Sequence, residues 1–158
     1  MKKTLQELGN QAIGFVGEAI AKKLIKYSRW CIYSSFENLV ERYPAINENI
    51  KHFLRDNWYS FDFVVILEKP CFKVQIIEVK VSTKRYKFKD HKQLNLTPKT
   101  LLLYKNAKKL DIEVLFLHIK FPERFYFYYD LIPLNSNIFG VSKGGFGKSG
   151  KITYSGVF

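Results

Sequence analysis

Residues 59–82 read YSFDFVVILEKPCFKVQIIEVKVS. Two apolar runs, 61–67 and 73–81, flank a break at 68–71 that contains Pro70, and their β-branched and aromatic content makes them two strands of an antiparallel hairpin. Side chains alternate faces along a strand, so Glu78 and Lys80, separated only by Val79, project from the same side of the sheet. Asp62 falls near the start of the first strand, where it can meet Glu78 at the centre of the paired strands. Charged groups within apolar strands are costly unless they are paired or used, so this trio calls for an explanation.

Working outward, Thr4 and Glu7 have the spacing of a capping box. Leu5, Leu8, Ala12, Val16, Ala19, Ile20 and Leu24 recur at helical spacing, which predicts a helix to about Tyr27 with one buried stripe. Gly14 and Gly17 weaken that helix by about 1 kcal/mol each, but allow another backbone or a ligand to come close, and Glu18 lies beside them. A short strand is predicted at 30–33. Ser35 can cap a helix over 36–42 that Pro44 stops, and 47–55 forms a third helix with Ile50, Phe53 and Leu54 as its apolar face.

Beyond the hairpin, 82–95 is polar and basic. Thr97-Pro98 then supplies a cap and a first-turn proline for a helix that runs to about Leu110 and exits at Asp111. Residues 112–121 and 125–132 are β-prone and pair as a second hairpin around Pro122. The predicted organisation is one domain over 1–134, with a helical insert at about 35–57, and a Gly/Ser/Lys-rich tail over 135–158 that is either a flexible arm or a last edge strand.

A chain of 158 residues hides roughly 70% of its extended surface on folding, enough for a core without staples. Its 14 Phe and 10 Tyr exclude a disordered chain. Lys and Arg number 26 against 14 acids, a formal charge of +12, which points to a polyanionic partner. The basic residues recur along the whole chain rather than beside an apolar helix, favouring nucleic acid over a membrane; a solubilising surface charge is the plainer reading. Cys31 and Cys71 offer no zinc-ligand spacing and imply a reducing compartment. MKKTLQEL lacks the apolar region of a signal peptide, and no apolar run is long enough to span a bilayer, so the expectation is a soluble, cytoplasmic protein with no membrane contact.

Hydrolysis of a phosphodiester at neutral pH needs a charge-neutralising metal, an activated water and a group that orients it. Asp62 and Glu78 supply the hard oxygens that Mg²⁺, or Mn²⁺ as a substitute, accepts, and Lys80 can steer the water or stabilise charge on the phosphate. The structural alternative is a partly buried ion pair of Lys80 with Glu78 or Asp62 that adds little stability.

Asp62 followed by Glu78-Val79-Lys80 across a hairpin, in the settings FDFVV and IIEVKV, resembles the PD-(D/E)XK nuclease superfamily, with Phe61 where the motif name has proline. The resemblance implies a metal-dependent phosphodiesterase on a restriction-endonuclease-like α-β-β-β-α-β core, a central mixed sheet flanked by helices. Glu18 matches the extra acidic metal ligand that many members place on the opening helix, and Gln93 matches a glutamine that some use near the metal. Within the superfamily the chain is most similar to archaeal Holliday junction resolvases, small basic homodimers, over the helix around Glu18 and residues 62–121; its insert is longer than a resolvase normally carries. The implied activity is Mg²⁺-dependent endonucleolytic cleavage of duplex or branched DNA by a homodimer. Metal ligands would be Asp62, Glu78 and Glu18, with Lys80 and Gln93 completing the catalytic set. Glu18 can instead pair with Lys22 one helical turn on.

The segment after Lys80 carries Lys84, Arg85, Lys87, Lys89 and Lys92 against the single acid Asp90, with Tyr86 and Phe88 interleaved. Such a loop can neutralise several phosphates and stack on a base, or be a solvated loop whose aromatics tuck into the core. SKGGFGKS at 142–149 ends like a phosphate-binding loop, but Ser142 replaces its first glycine and no helix pattern follows. His118 lies in an apolar strand as a core histidine, and His91 adjoins the basic loop. Two further classes stay open: a non-catalytic nucleic-acid-binding protein retaining the nuclease fold, and a protein-interaction module using FYFYYDL as an exposed edge.

Overall fold

A computed structural model describes residues 5–83, 93–96, 98–123, 126–133, 139–142 and 153–157. In chain order these form α1 (Leu5–Lys26), β1 (Trp30–Ile32), α2 (Phe36–Arg42), α3 (Glu48–Asn57), a 3₁₀ turn (Trp58–Ser60), β2 (Phe63–Leu67), β3 (Lys73–Thr83), β4 (Gln93–Leu96), α4 (Pro98–Lys109), β5 (Glu113–Glu123), β6 (Tyr126–Pro133), β7 (Phe139–Ser142) and β8 (Thr153–Val157).

The two hairpins read from the sequence are both present. β2 pairs antiparallel with β3, and β5 with β6. β3 and β5 are parallel, so a crossover must join them, and the intervening chain includes α4. With β1 against β2, the result is a mixed five-stranded sheet in the order β1-β2-β3-β5-β6, flanked by helices, an α/β architecture.

Both sheet faces are covered, which is why the strands read as continuous apolar runs. Val64, Ile66, Val74, Ile76, Val114 and Phe116 pack with Leu39, Leu54, Leu101, Tyr104 and Ala107, so α2, α3 and α4 share one face. Val65, Ile77, Val79, Leu115, Leu117 and Ile119 pack with Ala21 and Ile25 of α1 on the other. Buried Gln75 accepts from Trp30 Nε1 at 2.6 Å and donates to Glu113, so its amide is satisfied at the far end of β3 from Glu78.

The buried stripe of α1 differs from the predicted one. Gly17, Ala21 and Ile25 face the sheet with Ile20 and Leu24 beside them, while Ala12, Val16 and Ala19 are exposed. Gly17 explains the rotation: a Cβ there would lie 2.1 Å from Val81 Cγ2, so the helix approaches the sheet at its smallest residue. A Cβ at Gly14 would meet nothing within 4 Å, so only one of the two glycines makes a close approach. Thr4 of the predicted capping box lies outside the described residues.

Ser35 caps α2 by accepting from the Asn38 N–H at 3.2 Å, and Asn47 caps α3 by accepting from the Asn49 N–H at 2.9 Å. α4 closes in a Schellman motif, with the Ile112 N–H donating to Ala107 O and the Asp111 N–H to Lys108 O, both at 3.0 Å. Asp111 occupies the left-handed position with φ 61°. In the C-terminal region β8 is the middle strand of a small sheet, β4-β8-β7, rather than an edge. Most of SKGGFGKS lies outside the described residues. Among the described residues no helix is long and apolar enough to cross a membrane, and Cys31 and Cys71 are exposed free thiols.

Candidate active site

The β2–β3 register sets Phe63 opposite Ile77, which places Asp62 opposite Glu78, one residue beyond the end of the ladder. The expected encounter of these acids therefore occurs at the end of β2, not at the centre of two paired strands. The cause is local. Asp62 Oδ2 accepts from the Val79 N–H at 2.7 Å, so a side chain takes the donor that a longer β2 would have bonded through its backbone. β3 continues to Thr83, held on its other side by β5 as far as Phe121. Among the described residues no strand pairs with β3 beyond Ile77 on the β2 side.

Glu78 and Lys80 continue the alternation of Val74 and Ile76, so both point to the α4 side of the sheet. Lys80 Nζ donates to Glu78 Oε1 at 2.9 Å, and the Tyr104 hydroxyl donates to Glu78 Oε2 at 2.6 Å. Tyr104 is fully buried on α4 and stacks edge-on against Phe116, with ring centroids 5.9 Å apart. Burial first, then the charge of Glu78 and the bond to it, push the phenol well above its usual range, so it remains a proton donor to Glu78.

Asp62 is an exposed residue whose carboxylate is nonetheless half sunk among protein atoms at the strand end. Desolvation and then the neighbouring Glu78 raise its pKa from 3.8 to about 6, against the lowering effects of the Val79 N–H and Lys80. Glu18 is close enough for its charge to add to that rise. It is exposed on α1, and among the described residues it forms no ion pair with Lys22.

The remaining sequence candidates are less gathered. Gln93 opens β4 and pairs with Val157 in the small sheet. Lys84, Arg85, Lys87, Lys89 and Lys92 lie outside the described residues, as do Tyr86, Phe88 and His91. His118 is buried, as a core histidine should be, but the parallel register sets it beside Lys80 on the same face. In the sequence Tyr104 reads as one more member of the Leu101–Tyr104–Ala107 stripe. A tyrosine in a buried stripe still needs an acceptor for its hydroxyl, and that need is the sequence signal for a polar partner on the facing sheet.

Among the described residues no group of three or more His, Cys, Asp or Glu side chains could hold a metal ion, so Glu18 does not complete such a cluster with Asp62 and Glu78. The two acids still fit a hard divalent cation. The register sets them opposite each other, the charge of Glu78 adds to the rise that burial causes at Asp62, and Mg²⁺ needs only one or two protein carboxylates. Comparison with family models, curated proteins and solved structures returned no match. Fold and site together define an α/β protein with paired carboxylates and a lysine where its central hairpin ends.

Proposed function

We propose that this chain is a Mg²⁺-dependent DNA endonuclease, with Mn²⁺ as a substitute, built on a restriction-endonuclease-like core of the PD-(D/E)XK kind. The observation that carries the reading is the placement of Asp62 opposite Glu78 with Lys80 2.9 Å from Glu78. Net charge of +12 and a basic segment directly after β3 support DNA as the partner. A four-way junction is the first branched substrate to try and a homodimer the first assembly, both on the resemblance to junction resolvases.

In this reading Asp62 and Glu78 present oxygens to the cation. When bound, Mg²⁺ would neutralise phosphate charge and make a water nucleophilic at neutral pH. Tyr104 and the Val79 N–H fix the two carboxylates, so little reorganisation is needed as the phosphate arrives. Lys80, already oriented by Glu78, places its ammonium where it can turn toward a non-bridging phosphate oxygen. Protonation of Asp62 below about pH 6 removes one of the two anionic ligands, so cation binding should weaken in acid.

The Lys80–Glu78 ion pair also suits a second reading, a non-catalytic nucleic-acid-binding protein of the same fold. Both readings require salt-sensitive binding, so affinity does not separate them. Incubation with linear duplex, circular duplex, single strands and a four-way junction, with and without Mg²⁺, does. Metal-dependent product from any of them supports the nuclease; binding without product under all conditions favours the second reading.

A further inference from the structure

A cavity of about 280 Å³ opens beside Asp62, between the end of β1, the 3₁₀ turn and the start of β2. Tyr33 and Ser34, just after β1, and Trp58, opening the 3₁₀ turn, line it together with Phe61, Asp62 and Lys22 of α1. We infer that this cavity holds one unpaired nucleobase of the strand being cut, so that the substrate is DNA with unstacked nucleotides at the cleavage site rather than an undisturbed duplex. The inference rests on the nuclease reading and gives the 35–57 insert an indirect part, since Tyr43 and Phe36 brace the two aromatic walls from behind.

Four observations lead there. Just below the roughly 300–1,000 Å³ typical of ligand pockets, the volume suits one flat ring system and little more. Its aromatic walls are braced from behind: Tyr33 meets Tyr43 edge-on with centroids 5.7 Å apart, and Trp58 meets Phe36 at 6.2 Å. Both rings are half-buried, so each is held by the protein and keeps an accessible portion on which a base can stack. Apart from the aromatic rings, the polar groups on its wall are few: Lys22, Ser34 and Asp62. Ser34 Oγ accepts from Asn38 Nδ2 at 3.1 Å and keeps a proton to offer a base edge, while the exposed Lys22 provides a cation for an adjacent phosphate. Finally, Asp62 belongs both to the wall and to the carboxylate pair, so a base seated here brings its own backbone to Glu78 and Lys80. Intact duplex cannot supply such a base without unstacking it, whereas loops, junctions and single strands offer one at little cost.

The test uses the full chain and a single-stranded oligonucleotide carrying 2-aminopurine, bound in EDTA so that nothing is cut. Stacking on the pocket should change the fluorescence at one position relative to the bound footprint, and an abasic residue there should weaken binding on the order of tenfold. Tyr33→Leu, which keeps apolar volume, should abolish that position dependence, and Tyr33→Phe should keep it; thermal unfolding verifies that both variants are folded. Equal affinity for intact and abasic strands, equal discrimination by Tyr33→Leu, or competition by free nucleoside monophosphate as effective as by the oligonucleotide would overturn the pocket assignment. Cleavage measured in parallel separates the two claims. Mg²⁺-dependent cutting indifferent to the abasic residue leaves the nuclease and removes the base pocket. A position-dependent abasic effect without any cutting leaves the base pocket and removes the nuclease.

Discussion

Replacing Asp62 by Asn should stabilise the metal-free protein at neutral pH and leave its stability in acid almost unchanged. The folded state holds the Asp62 proton up to about pH 6, whereas the unfolded chain releases it near 3.8. Between those values the native state binds more protons than the unfolded one, so the contribution of this group to stability is fully present below 3.8 and is lost as pH rises through about 6. Felt in full, the displacement corresponds to about 3 kcal/mol. Asp62 is an exposed residue, so solvent screening reduces the expected gain to about 1 kcal/mol, or roughly 2–4 °C in melting temperature for a chain of this size. Asn removes the charge and keeps an oxygen that can accept from the Val79 N–H. Thermal unfolding of wild type and Asp62→Asn in EDTA, at pH 7.5 and pH 4, is the assay. A variant equally or less stable than wild type at pH 7.5 would refute the claim that burial and the nearby Glu78 charge together disfavour the Asp62 carboxylate in the folded protein.

Other outcomes follow from single contacts. Tyr104→Phe removes one of the donors that fix Glu78, so Mg²⁺-dependent cleavage should fall about 10–100-fold while folding stability drops by only about 1 kcal/mol, measured by steady-state cleavage and urea denaturation. Gly17→Ala drives a methyl into Val81 and should destabilise by about 1–3 kcal/mol, whereas Gly14→Ala, with nothing within 4 Å, should stabilise by about 0.5–1 kcal/mol; paired denaturation curves with the opposite ranking would exclude the close approach at Gly17. Asp111→Gly relieves the left-handed backbone at φ 61° and should raise stability by about 0.5–1 kcal/mol; a loss would mean that the Asp side chain contributes more than its backbone strain costs.

Where local chemistry decides an element, its position could be read in advance. Ser35 and Pro44 bracket α2, Pro98 and Asp111 bracket α4, and the two-residue period sets Glu78 and Lys80 on one face. What could not be read depends on contacts between distant residues. The end of β2 is set by Asp62 taking the Val79 N–H, an alternative to strand pairing that apolar periodicity does not register. Helical spacing allowed two adjacent stripes on α1, and the fit of Gly17 over Val81 selected between them. Tyr104 reaches Glu78 across the space between helix and sheet, and Gln93 pairs with Val157 from the other end of the chain. Such pairings leave no local periodic trace.

Cleavage by Glu78→Gln tests the central claim most directly. Alanine at this position would strand the buried Tyr104 hydroxyl, at a cost of about 1–3 kcal/mol, and confuse catalysis with folding. Glutamine keeps an acceptor for Tyr104 and a similar shape, removes the charge, and puts an amide donor where one carboxylate oxygen accepted from Lys80. With folding and DNA affinity in EDTA shown to match wild type, Mg²⁺-dependent cleavage by the purified variant should fall to background. Cleavage at the wild-type rate would contradict the assignment of Asp62, Glu78 and Lys80 as a nuclease site.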